Sequence, residues 1–302
     1  MTNTELIEKI KKLKEEKDAV ILAHYYVDDD VQAIADYVGD SFYLAKVATN
    51  IEKKVIVFCG VMFMGESAKI LNPEKTVLLP DETADCPMAH MAQIDRIKEL
   101  REQYEDLAVV CYVNSTAELK MHSDICVTSS NALEIVKSIP NKNIFFIPDQ
   151  NLGSFIKDKV KDKNIILNDG YCHVHHELSK ESVLKAMEEH KDAAFLVHPE
   201  CRKEIVDLAE YAGSTAGIID YATKSDKKEF IIGTELGVMY ELREKNPDKK
   251  FYPAYEKQIC PNMKKITLER VADALENMTY EVKLTEEVID KANAPLKRML
   301  EY

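Results

Sequence analysis

Three features that would assign the chain to common functional classes are missing from its sequence. Its 302 residues include no basic run, and 53 acidic against 40 basic residues give a formal charge of −13; such a chain repels phosphate backbones. No apolar run approaches the roughly 20 residues of a membrane-spanning helix, and the polar N-terminus lacks the apolar core of a signal peptide. We therefore expect a soluble, cytoplasmic protein that binds neither nucleic acid nor membrane.

Residues that break secondary structure are few, and paired cysteines are missing. Nine glycines and ten prolines form no low-complexity linker, so the domains are expected to pack closely. Seven cysteines are scattered without a CxxC pair, and in a chain expected to be intracellular this favours metal-binding or catalytic roles over a disulfide framework. Length alone predicts two domains of about 150 residues each.

A repeat with a period of about 87 residues replaces that estimate. Three short apolar runs each end in a ring-bearing polar residue: His24, Tyr112 and His198. A hydroxyl residue follows each ring by 17 positions: Ser41, Ser129 and Thr215. One cysteine stands late in each repeat, and we call these the repeat cysteines: Cys86, Cys172 and Cys260. Three landmarks that keep one spacing indicate three related segments.

Each segment alternates short apolar strands with helices of about 10–15 residues, which is the pattern of parallel βαβ units. Four strands in such a segment predict a three-layer α/β/α domain. We predict three similar domains with parallel sheets around a pseudo-threefold axis, over residues 1–106, 107–192 and 193–302. The first carries an N-terminal helix, and the last a C-terminal helical segment, over residues 285–302, that packs on the first or third domain.

The rings and hydroxyls are candidate ligand contacts. Ligands of open parallel sheets bind beyond the carboxyl ends of the strands, where His24, Tyr112 and His198 are expected. We interpret the three hydroxyl residues as helix N-caps whose free N–H groups bind carboxylate or phosphate, although capping alone would also explain them. The acidic run 28–30 is interpreted as the first turn of a helix rather than a magnesium site.

The repeat cysteines are candidate metal ligands because thiolate suits iron–sulfur clusters and zinc. One thiolate per domain leaves a fourth position open, which implies catalysis. Cys59, Cys111 and Cys126 are interpreted as buried structural thiols, and Cys201 has no assigned role. Two alternatives remain open: a zinc-dependent hydrolase that uses Cys172 with the histidines at 173, 175 and 176, and a non-enzymatic iron–sulfur sensor. The histidines are otherwise expected at a solvated helix start.

The chain resembles the quinolinate synthase family of bacterial NAD biosynthesis over nearly its whole length. The motifs that carry this resemblance are AHYY at 23–26, GDS at 39–41, DCPMA at 85–89, YVNS at 112–115, TSSN at 128–131, GYCHVH at 170–175, HPEC at 198–201, GST at 213–215 and CPNMK at 260–264. The resemblance implies a triangle of three α/β/α domains with a 4Fe–4S cluster held by Cys86, Cys172 and Cys260. Some members carry CxxCxxC at the last cysteine, and this chain does not, so a thiol–disulfide switch is not expected.

The resemblance also implies an activity, namely the condensation of iminoaspartate with dihydroxyacetone phosphate to quinolinate, with loss of phosphate and two waters. An aspartate-oxidising enzyme would supply the iminoaspartate. We expect catalytic roles for Tyr26, Tyr112, His198 and Glu200, with the pKa of Glu200 raised for acid–base work. The expected substrate contacts are His24, Ser41, Tyr112, Asn114, Ser129, His198, Glu200, Ser214 and Thr215.

Overall fold

The computed structural model describes residues 2–302, and its strands form three parallel sheets of four. The strands are β1 (Ala19–His24), β2 (Tyr37–Gly39), β3 (Val55–Cys59), β4 (Thr76–Leu78), β5 (Leu107–Tyr112), β6 (Ile125–Val127), β7 (Asn143–Ile147), β8 (Asn164–Leu167), β9 (Ala194–Val197), β10 (Tyr211–Ala212), β11 (Glu229–Gly233) and β12 (Lys250–Pro253). The spatial orders are β2-β1-β3-β4, β6-β5-β7-β8 and β10-β9-β11-β12. The same order recurs three times, which confirms the predicted four-strand repeat and the α/β fold class.

Helices connect the strands. They are α1 (Asn3–Glu16), α2 (Asp29–Ile34), α3 (Ser41–Ala48), α4 (Met62–Leu71), α5 (Ile94–Gln103), α6 (Ala117–Met121), α7 (Ala132–Ser138), α8 (Gln150–Lys159), α9 (His173–His176), α10 (Lys180–Glu189), α11 (Lys203–Val206), α12 (Thr215–Lys224), α13 (Val238–Lys245), α14 (Leu268–Asn277) and α15 (Glu286–Leu300). Within residues 2–302, none of them combines the length and apolar composition that crossing a bilayer requires.

The strands in the middle of each sheet are the most apolar and the most deeply buried. All residues of β1, β3, β5 and β9 are buried, whereas the edge strands β2 and β10 are short and partly exposed. Continuous Val, Ile, Leu and Phe runs suit a parallel sheet that is covered on both faces. These runs place His24 and Tyr112 at the last residues of β1 and β5, and His198 directly after β9, as predicted.

The helix starts differ from the prediction by one or two residues. The N-caps of α3, α7 and α12 are Asp40, Asn131 and Ser214, not Ser41, Ser129 and Thr215. A neighbouring side chain is the better acceptor, since the Asp40 carboxylate accepts the Tyr43 N–H at 2.9 Å and the Ser214 hydroxyl accepts the Gly217 N–H at 3.1 Å. The acidic run 28–30 supplies the N-cap and first turn of α2, as predicted.

The chain forms two compact units. The first contains residues up to 90, 113–126 and 261–302, and the second contains residues 91–112 and 127–260. In the first unit α14 packs on α1, and α15 packs on both α4 and α6. Residues 280–282 also lie along β4, where the Val282 N–H donates to the Val77 carbonyl at 2.8 Å. The C-terminal helix therefore packs on α4 of the first repeat, as predicted, and also on α6 of the second, which the prediction left out. The three domain boundaries stay a prediction.

Candidate functional site

Each repeat cysteine lies in a loop that is tied to the same point of its own repeat. In each repeat a helix follows the third strand, and a residue at or just before the start of that helix donates its backbone N–H. The acceptor is the carbonyl of the residue two positions before the repeat cysteine. The three bonds are Met62 to Ala84 at 2.8 Å, Gln150 to Gly170 at 2.7 Å and Leu236 to Gln258 at 3.0 Å. The three loops are therefore anchored equivalently, in agreement with the spacing of the cysteines.

Burial separates the repeat cysteines from the other four. Within residues 2–302 none of the seven forms a disulfide. The repeat cysteines are half-buried, and Cys59, Cys111, Cys126 and Cys201 are buried. Burial raises the pKa of the Cys59 and Cys201 thiols, so both stay protonated and unreactive. The prediction of buried thiols at 59, 111 and 126 is confirmed.

A compact group of metal-ligating side chains includes Cys172. His175 follows it by one turn of α9, and its Nδ1 lies 3.2 Å from Cys172 Sγ and 2.7 Å from Glu200 Oε2. One donor atom from each of the three residues lies within 4.8 Å of the others. Thiolate, imidazole and carboxylate all bind zinc or iron, so this group can hold a metal ion.

His175 is the residue of this group that sequence reasoning misjudged. It was expected at a solvated helix start, but it is 1% exposed, and its Nε2 lies 2.9 Å from the Thr234 hydroxyl. The i,i+3 spacing from Cys172 was the available signal, because residues three apart share one helix face. His176 belongs elsewhere: its ring packs on Tyr171, with centroids 4.3 Å apart.

Glu200 lies at the centre of a buried network formed with Tyr112, His175 and His198. Burial alone would raise the pKa of Glu200, but the two imidazoles and the Tyr112 hydroxyl lower it to about 2. Burial also lowers the pKa of His198 to about 3, so that ring is neutral at pH 7. The predicted rise in the Glu200 pKa is therefore wrong, because it ignored His175.

His24 and His198, the histidines at the ends of β1 and β9, use the same ring nitrogen, Nδ1, to accept a backbone hydrogen bond. Nδ1 of His24 accepts the Tyr26 N–H at 3.2 Å, and Nδ1 of His198 accepts the Glu200 N–H at 3.3 Å. An Nδ1 that accepts leaves the proton on Nε2. His198 Nε2 lies 3.2 Å from the Ser129 hydroxyl. Each ring can therefore donate an Nε2–H bond beyond the end of its strand.

Two carboxylates next to the cysteine loops were missed by sequence reasoning. Asp149 and Glu235 are fully buried, and they accept the backbone N–H groups of Cys172 at 3.1 Å and Cys260 at 3.0 Å. Burial and the nearby Glu200 raise the pKa of Asp149 well above its ordinary value. Their separation of 86 residues equals that of the rings Tyr112 and His198, and this was the signal that could have identified them.

The predicted site residues divide between the two units. In the second unit, Tyr112, Ser129, Cys172, His198 and Glu200 form one connected group. The same unit contains Ser214, Thr215 and Cys260.

The first unit contains the remaining predicted residues: His24, Tyr26, Ser41, Cys86 and Asn114. The rings of His24 and Tyr26 meet edge to face, with centroids 4.5 Å apart. Asn114 Oδ1 is buried and has no hydrogen-bond partner among residues 2–302. Convergence of all predicted residues on one cavity stays a prediction.

Comparison with known proteins assigns the family. Residues 8–301 match the model of the quinolinate synthetase A protein family. The chain is 54% identical over 299 residues to the quinolinate synthase of Caldicellulosiruptor saccharolyticus, covering 98% of this chain and 99% of that one. It is 56% identical over 294 residues to the quinolinate synthase of Fusobacterium nucleatum, covering 97% and 98%. It is 50% identical to quinolinate synthase 2 of Methanosarcina acetivorans over 98% of this chain and 95% of that one. With its three repeated sheets and equivalent cysteine loops, the chain belongs to the quinolinate synthetase A family.

Proposed function

We propose that the protein is a quinolinate synthase, an enzyme that condenses iminoaspartate with dihydroxyacetone phosphate to quinolinate, releasing one phosphate and two waters. The family match over residues 8–301 carries this proposal. The relatives, at about half identity over nearly their whole length, are all named quinolinate synthase. The comparisons do not favour a zinc hydrolase built on Cys172 and its neighbouring histidines.

The repeat cysteines are the proposed ligands of a 4Fe–4S cluster. The donor set fits, because three half-buried cysteines stand at equivalent places in their repeats and thiolate is the usual ligand of such clusters. Three protein ligands leave one iron open. When bound, the cluster would supply a Lewis acid that polarises a substrate oxygen.

The chain's own groups would bind the anionic substrates, which together carry two carboxylates and one phosphate. The starts of α3, α7 and α12, near Ser41, Ser129 and Ser214–Thr215, offer backbone N–H groups and a partial positive charge. His24 and His198 add Nε2–H donors. The buried, unpartnered Asn114 Oδ1 would accept from a substrate hydroxyl or imine N–H, since leaving it unpaired costs about 1–3 kcal/mol.

Proton transfers would use Glu200 and the two tyrosines. Glu200, with its pKa lowered to about 2, is ionised at neutral pH, so it would first act as a base. Tyr112 donates a hydrogen bond to Glu200, so the carboxylate would orient the tyrosine hydroxyl, while neutral His198 orients both the carboxylate and substrate. Tyr26, packed on the His24 ring, is the proposed acid–base group of the first repeat.

The proposed surroundings of the enzyme follow from its substrates. Iminoaspartate is unstable in water, so we propose that an aspartate-oxidising enzyme supplies it close by. We propose a cytoplasmic location and no nucleic-acid or membrane partner, which agrees with the acidic charge of −13.

Metal analysis and a product assay test the proposal. Anaerobically purified protein should contain about four irons and four sulfides per chain, and it should form quinolinate when given dihydroxyacetone phosphate and freshly generated iminoaspartate. Zinc in place of iron would favour the hydrolase, and a fully clustered sample that forms no quinolinate would refute the synthase.

A further inference from the structure

The buried carboxylates of Asp149 and Glu235 each join two loops. One Asp149 oxygen accepts the Leu152 N–H at 2.7 Å and thereby caps α8, while the other accepts the Cys172 N–H at 3.1 Å. Glu235 repeats this arrangement in the third repeat. One of its oxygens accepts the Gly237 N–H at 2.6 Å and the other accepts the Cys260 N–H at 3.0 Å. Each carboxylate therefore connects the loop after the third strand with the cysteine loop.

Burying a carboxylate costs free energy of desolvation, so the presence of one in each of two repeats needs an explanation. Both side chains have no exposed surface, and removing a carboxylate from water costs several kcal/mol before its hydrogen bonds offset the loss. Replacing buried polar groups by apolar ones of similar volume is frequently neutral or stabilising. Stability alone therefore does not account for the two residues.

The first repeat shows that the loops form without a carboxylate at the position that directly follows the third strand and its loop, next to Met62. Val61 occupies the matching position before Met62, and its side chain makes no capping bond. The backbone bond from Met62 to Ala84 is nevertheless present at 2.8 Å. The Cys86 N–H bonds instead to the carboxylate of its own neighbour, Asp85, at 2.7 Å. Asp149 and Glu235 thus each add a hydrogen bond to the cysteine from a different loop of the repeat.

We propose that Asp149 and Glu235 are positioning residues that fix Cys172 and Cys260 for the metal cluster. This inference rests on the proposed cluster function. A hydrogen bond to the main chain of a ligand residue restricts where its sulfur can lie, as hydrogen bonds to the ligands do at other metal sites.

The experiment uses Asp149→Asn and Glu235→Gln in the full chain. An amide keeps the size of the side chain but has one acceptor oxygen instead of two, so it cannot hold both N–H groups. Glu66→Gln is the matched control, because Glu66 is a half-buried carboxylate whose backbone hydrogen bond, from the Ala117 N–H at 2.8 Å, is not to a repeat cysteine.

Two measurements are made on each variant and on the wild type. The first is the rate at which a chelator removes iron from the reconstituted protein under anaerobic conditions. The second is the alkylation rate of each repeat cysteine in cluster-free protein, resolved by mass spectrometry. We expect iron loss to be about ten- to hundredfold faster in the two variants. We expect alkylation to rise several-fold at Cys172 in Asp149→Asn and at Cys260 in Glu235→Gln, with Cys86 unchanged in both.

The inference is overturned if both variants retain iron as the wild type does, or if alkylation rises equally at all three cysteines or equally in Glu66→Gln. Unchanged iron retention would show that the carboxylates do not position the ligands, and an equal rise in alkylation would show a general effect on folding. A wild-type protein that takes up no iron would instead refute the cluster, and the alkylation pattern would still test whether the carboxylates hold their cysteines.

Discussion

The hydrogen bond between Tyr112 and Glu200 provides a test of how strongly the buried network is coupled. Tyr112 is 4% exposed and Glu200 is 3% exposed, and the tyrosine hydroxyl donates to the carboxylate. Tyr112→Phe removes one oxygen and changes little in shape. The buried carboxylate then loses a donor that no solvent molecule can easily replace.

The expected cost follows from burial and charge. A hydrogen bond to a charged group contributes about 1.5–3 kcal/mol to stability, and both partners lie away from water. Tyr221 and Glu210 form the same type of bond at 2.7 Å on the surface, where water replaces the lost donor. Tyr221→Phe should therefore cost no more than about 0.5 kcal/mol.

Urea unfolding of the cluster-free protein at pH 7, followed by far-ultraviolet circular dichroism, measures both changes. The free energy of unfolding should fall by about 1.5–3 kcal/mol in Tyr112→Phe and stay near the wild-type value in Tyr221→Phe. If the two variants unfold at the same urea concentration, burial does not strengthen this bond and the network described around Glu200 is not coupled.

Three further outcomes are expected. Alanine at any one repeat cysteine should abolish the cluster, whereas Cys59→Ala should keep about four irons per chain; iron loss from Cys59→Ala without unfolding would contradict the ligand set. Glu200→Gln should keep the cluster and lower quinolinate formation by about 10²–10⁴-fold, so full turnover would exclude a role for this carboxylate. Leu296→Ala, at a fully buried position of α15, should lower the free energy of unfolding by about 2–5 kcal/mol in urea titration, with the exposed Lys297→Ala as the control that changes little.

The strands and their ends could be predicted from the sequence because burial on both faces leaves an unmistakable pattern. β3 is the run VIVFC and β5 the run LAVVCY, and neither contains a charged residue. In the sequence each of these apolar runs ends at a polar residue with a ring, so His24 and Tyr112 could be placed at the ends of their strands. Three copies with one spacing then fixed the number of sheets.

Helix caps and buried polar residues were harder to predict from the sequence than the strands. Asp40 and Ser41 are both good caps, and only the geometry of the turn selects Asp40. His175 appears polar and exposed in sequence, but its partner Thr234 is 59 positions away. The protonation of Glu200 depends on that same distant packing, because His175 reverses the effect of burial on its pKa.

The first unit is composed of segments that are far apart in the chain, and this has a consequence for how the protein is made. Residues 261–302 belong to the same unit as residues up to 90, so the ribosome must add about 170 residues between them. At ~5–20 residues per second this delay is on the order of ten to thirty seconds. During that time β4 lacks its neighbour at 280–282, and α4 lacks the cover of α15. The nascent first repeat therefore exposes apolar surface until the C-terminal segment has been synthesised and can pack on it.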